Sequence, residues 1–163
     1  MAQISKHALM LAASRFRSET GLPYTVAAVA EREDLPLAAV AEVHVQNVSA
    51  ELIEKTAGAQ YPRVHLYTEK ISNTLREKFR TFSGTIRMVA EVRVSQDRID
   101  DVERNLLLYV DAVTDVLDSH RGCWAPGVLY TGGYEATLQP LKHGGKNFLQ
   151  TAKITFELEV SQG

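Results

Sequence analysis

The sequence predicts an α+β fold: a single domain, mainly antiparallel β-sheet, with a long helix packed on one face and a helical N-terminal segment. Three observations carry this. Ile86, Met88, Ala90, Val92 and Val94 alternate with Arg87, Glu91 and Arg93, Val89 being the one apolar exception, as a half-buried strand requires. From Asp97 the period turns helical, with Ile99, Val102, Leu106, Tyr109, Val110, Val113, Val116 and Leu117 on one stripe. Period two then returns twice, in Val128 to Leu138 and in Ala152 to Val160, around the turn-forming Pro140-Leu141-Lys142-His143-Gly144-Gly145. Residues 83–95, 126–139 and 146–160 are therefore expected in one antiparallel sheet. The 97–120 helix should cover its apolar face, meeting Met88, Val92, Ile154, Phe156 and Leu158.

The elements before this block follow in order. Residues 1–38 read as the helical segment and 39–163 as the sheet with its helix and hairpin. Ile4 to Ser18 is a helix ending near Gly21, with Pro23 as a stop, and Thr25 to Glu33 forms a second. Val43 and Val45 begin the β-like text, and Glu51 to Ala57 is a helical turn broken at Gly58. Arg63 to Ile71 is a strand with Val64 and Leu66 on one side and His65 and Tyr67 on the other. Thr74 to Thr81, dense in charge, joins two strands. Asp97 is the expected N-cap of the long helix, with Asp100, Asp101 and Glu103 in the first turns, where the helix dipole favours carboxylates.

The 163 residues suffice for a core without staples, and 18 basic against 20 acidic residues give a net charge of −2. That balance provides no whole-protein field toward nucleic acid or anionic membrane. Cys123, without a second cysteine, fits a reducing compartment and reads as a semi-buried hydrophobe beside Trp124. No run approaches the roughly 20 apolar residues that span a bilayer.

Charge is unevenly laid out. Lys70, Arg76, Lys78, Arg80, Arg87 and Arg93 face only Glu77 and Glu91 in their segment, whereas Asp97 to His120 is acidic. Such segments either satisfy each other within one molecule or meet across a head-to-tail interface, which joins two different patches of one protein. On the long helix Asp111, Asp115 and Leu108 fall on the side away from the apolar stripe, and Leu107 on its flank. The expected self-interface is accordingly Arg76, Arg80 and Arg87 toward Leu107, Leu108, Asp111 and Asp115 of the next copy. The hairpin tip, with Leu141, Lys142, His143 and Lys146, is expected to contact a neighbouring subunit or ring and not its own core.

Catalytic constellations are not found. His7, His44, His65, His120 and His143 lack metal-ligand spacing, although His44 and His65 become neighbours if their strands pair. Gly132-Gly133 and Gly144-Gly145 do not open a helix after a strand, so neither is a phosphate loop. No serine lies in a Gly-x-Ser-x-Gly elbow. The reading is of a chain that is not an enzyme and needs no cofactor or metal.

From Tyr61 onward the order of elements resembles the tail terminator (tail completion) and neck proteins of tailed bacteriophages. The residues that carry it are Tyr61-Pro62-Arg63-Val64-His65-Leu66-Tyr67, the strand Thr85 to Val94, and Tyr109-Val110-Asp111-Ala112-Val113 with Val116-Leu117 on the helix. Trp124-Ala125-Pro126-Gly127-Val128-Leu129-Tyr130-Thr131-Gly132-Gly133-Tyr134 and Lys146 to Ala152 complete it. The resemblance implies a homohexameric ring in the virion, assembled in the host cytoplasm, that ends tail-tube growth and offers the tail to the head–tail connector. Its implied partners are itself, the tail tube protein, the connector or neck protein, and genomic DNA passing through the lumen without sequence recognition, with no membrane. In such rings a sheet lines the lumen and helices pack outside it. The alternative is a cytosolic α+β small-molecule-binding module or enzyme with a pocket between helix and sheet, using His44, His65 and Tyr130.

Overall fold

The computed structural model describes residues 3–55, 58–144 and 147–163. In chain order the elements are α1 (Ile4–Arg17), α2 (Leu22–Glu33), β1 (Val43–His44), α3 (Ala50–Glu54), β2 (Arg63–Asn73) and β3 (Phe82–Gln96). They continue with α4 (Val102–Ser119), β4 (Gly122–Ala125), β5 (Val128–Leu138), β6 (Lys142–Gly144) and β7 (Asn147–Gln162).

The strands form one sheet in the order β1-β2-β3-β7-β5-β4, with β6 also on β7. Among the described residues the β1–β2 pair is parallel and the other ladders are antiparallel. The three expected strands are thus neighbours at the centre, and α4 packs on β3 and β7. Register places Ile86, Met88, Ala90 and Val92 opposite Leu158, Phe156, Ile154 and Ala152, and all eight are buried. Directly paired residues share a face, so this is the core face. The stripe of α4 meets it through Leu106, Val113, Val116 and Leu117. From α1, Phe16 reaches the same place, its ring 6.4 Å from that of Phe156. Trp124 and Tyr130 stand 6.3 and 5.8 Å from the Phe156 ring, closing an aromatic cluster.

Several local expectations are corrected. Helix α4 starts at Val102, because β3 stays paired with β7 as far as Gln96 and the chain needs the intervening residues to turn onto the core face. Asp97 therefore caps nothing, Ile99 is exposed, and Asp101 opens the helix in the left-handed conformation at φ 67°. Pro23 does not stop a helix: it occupies the first turn of α2, where its missing N–H costs no hydrogen bond. The turn before it is tight, since a Cβ on Gly21 would lie 2.2 Å from the Arg15 carbonyl oxygen. Cys123 is exposed on β4, an element the sequence did not announce.

The β5 strand also departs from simple alternation. Tyr130 opposes Leu158 and Tyr134 opposes Phe156, so three residues of β5 span one of β7, with Gly132 at φ 105° in the bulge. Two extra residues preserve parity, which keeps Tyr130, Tyr134 and Ala136 on one face.

Candidate functional site

The second face of the sheet holds what the sequence did not foresee. His65, Tyr67, Val89, Glu91, Arg93, Leu149 and Thr151 lie opposite to the core face by register, yet all are buried. Arg93 is 1% exposed and Glu91 7%. The cover comes from residues 47–51 and from 139–142, which fold over this end of the sheet. Arg93 Nη2 donates to Glu91 Oε2 at 2.6 Å and to the carbonyl oxygen of Val48. Its Nε and Nη1 have no hydrogen-bond partner among the described residues. Lys153 Nζ lies 4.0 Å from the other Glu91 oxygen.

Between cover and sheet is a cavity of about 630 Å³, walled by Ser49, Glu51, Tyr67, Arg93, Lys142 and Lys153 among others. Its size falls within the range of small-ligand pockets. Lys142 Nζ donates to Glu51 Oε1 at 2.7 Å across the mouth, tying β6 to α3. That bond holds the Glu51 carboxyl below the usual carboxylate range.

His44 and His65 do become neighbours. Parallel pairing of β1 with β2 stacks their rings at 5.1 Å. Arg63 Nε donates to His65 Nε2 at 3.3 Å, so that nitrogen is the acceptor. Burial, reinforced by Arg93 and Arg63, lowers the His65 pKa to about 4. Among the described residues no group of three or more His, Cys, Asp or Glu could hold a metal ion. Tyr130 lies on the core face and His65 on the opposite one, so the sheet keeps these two expected site residues apart; the Arg93 cavity lies on the His65 side of the sheet.

The lowered His65 pKa sets an expected acid response. The unfolded chain binds the proton near pH 6.5 and the folded chain only near pH 4, so the folded state is favoured fully above 6.5. Stability should fall as pH drops from about 6.5 toward about 4. His65→Gln should flatten that slope in urea unfolding curves taken across the interval, and an unchanged slope would refute the assignment.

Of the expected interface residues, Arg76, Arg80, Leu107 and Asp111 are exposed, whereas Leu108 is 8% exposed and part of the core. The correction has a clear cause. Seven residues on along the same face, Asp115 Oδ2 lies 3.8 Å from Arg32 Nη1 of α2, so the side of α4 away from the sheet is covered by α2. Burial and the neighbouring Asp115 raise the Asp111 pKa. Arg80 pairs with Glu77 at 3.1 Å and Arg87 with Glu157 at 2.9 Å.

The hairpin tip is corrected too. Leu141 packs against the core and Lys142 binds Glu51, so this end of the hairpin folds onto its own molecule, while His143 is exposed beside the Phe148 ring. Lys146 lies outside the described residues. Among the described residues no helix is long and apolar enough to cross a membrane.

No family model matches the sequence, and no curated protein matches it.

Proposed function

We propose that this chain is a structural subunit of the tailed-phage neck: a homohexameric ring that ends the tail tube and joins it to the head–tail connector. The observation that carries the reading is the one-sided build of a long-stranded sheet. Helices α1 and α4 pack on its core face, whereas beyond the Arg93 cover the opposite face carries Lys70, Arg87, Glu135, Glu157 and Glu159, with no helix packed over them among the described residues. This suits a sheet that lines a lumen with helices outside. Carboxylates outnumber cations on it, which lets DNA pass without being held. The loop between β2 and β3 adds an apolar projection, with Leu75 exposed and Phe79 100% exposed beside Arg76 and Lys78. An exposed aromatic among cations is a contact in search of a neighbouring molecule.

The test is mass in solution together with direct imaging. Light scattering should find a species of six 18.1 kDa copies, and negative-stain images should show closed rings. A chain that stays monomeric at all concentrations, including with tail tube ends present, overturns the reading. The second reading, a small-molecule-binding module, is favoured by the Arg93 cavity. A saturable thermal shift from a small carboxylate, lost in Arg93→Met, on a monomeric chain would support it instead.

A further inference from the structure

We infer that copies of this chain join edge to edge through the free parts of β2 and β5, continuing one antiparallel sheet from subunit to subunit. The inference rests on the ring reading for closure of the assembly, but not for the contact itself.

Both outer strands of the central sheet are left half covered. Strand β1 pairs with β2 only at Val64 and His65, so from Leu66 to Asn73 no strand among the described residues lies on its outer side. Strand β4 covers β5 at Val128 to Tyr130, and from Thr131 to Leu138 the outer side of β5 is open in the same sense. Each open edge presents a row of backbone donors and acceptors, a ready template for another strand.

Their directions are complementary. Strands β2 and β3, β3 and β7, and β7 and β5 are successively antiparallel, so β2 and β5 run opposite ways. The β2 of a second copy set beside β5 in the same sheet is therefore antiparallel to it. The two edges also lie at one height: Thr68 is level, through Met88 and Phe156, with Tyr134.

Side chains then choose the register. Pairing must keep core-face residues on the core face, because a slip of one residue exchanges the faces. A stagger of two residues meets this condition and sets Lys70 against Glu135, Ile71 against Tyr134 and Thr68 against Ala136. Glu69 already bulges out of the β2–β3 ladder, where the register shifts between Thr68 and Lys70, and stays outside the new one. Lys70 and Glu135 are exposed, and neither enters an ion pair among the described residues. Ile71 and Tyr134 are 36% and 39% exposed, a β-branched and an aromatic side chain of the kind that pair well across strands.

Cysteine cross-linking reads this contact directly. In a Cys123→Ser background, Lys70→Cys and Glu135→Cys are made on separate chains, mixed and mildly oxidised. Opposed residues on antiparallel strands have Cβ atoms about 4.5–5.5 Å apart, which disulfide geometry can bridge. A cross-linked pair is expected from the mixture, and a chain carrying both cysteines should give a ladder ending at the ring number. Lys70→Glu should weaken association about fivefold per interface and Glu135→Lys in the same chain should restore it.

Rings of native mass that never cross-link would overturn the edge contact and leave the ring reading standing. Cross-linking of a species whose native mass stays dimeric, or that grows into open filaments, would support the edge contact and overturn the closed hexamer. Monomers without cross-links overturn both.

Discussion

Replacing Phe156 by alanine should lower the free energy of unfolding by about 3–5 kcal/mol. The side chain is 1% exposed and sits on the central strand β7, with Phe16 of α1, Trp124 of β4 and Tyr130 of β5 around its ring. Four elements meet there, so none can move in to fill the void without disturbing the others. Trp124 is itself held by a hydrogen bond from its Nε1 to the His120 carbonyl oxygen at 2.6 Å and by Arg15 stacked 4.8 Å from its ring centre. Phe156→Leu, which keeps most of the volume, should cost much less. Urea or thermal unfolding checks both, and a loss under about 1 kcal/mol for the alanine variant would overturn the packing described.

Glu91→Ala should cost about 3–5 kcal/mol, for a different reason. It leaves Arg93 in place, buried, without the carboxylate it pairs with and with Nε and Nη1 already lacking hydrogen-bond partners among the described residues. A buried charge stripped of its partner keeps its desolvation penalty and loses its compensation. The double variant Glu91→Leu with Arg93→Met removes both charges and should recover most of that loss. Denaturant midpoints of Glu91→Leu, Arg93→Met and the double variant close the cycle. If the double variant is as unstable as Glu91→Ala, the charges are not the source of the cost.

These two sites differ in how far the sequence reveals them. Phe156 belongs to a run with one clear period, and the same run predicts its face, its strand and the helix that covers it. Glu91 and Arg93 stand at the alternate positions of an equally clear run, and read by period alone they belong to solvent. Val89, the one apolar residue among those alternate positions, was the local sign that this face is also closed. On α4 the same problem recurs: Leu108 and Asp115 sit away from the apolar stripe, but α2 covers them and supplies Arg32.

The sequence by itself determined the order of strand, helix and hairpin, the antiparallel sheet and the face its long helix buries. Those follow from side-chain periods of two and 3.6, which are local properties of each segment. Tertiary structure alone decided what lies on the other side of each element. Val48 caps Arg93 from 45 residues away, and Glu51 reaches Lys142 across 91. A period reports which face of a strand is apolar, but not which distant segment will close over the polar one, because that depends on where the whole chain returns.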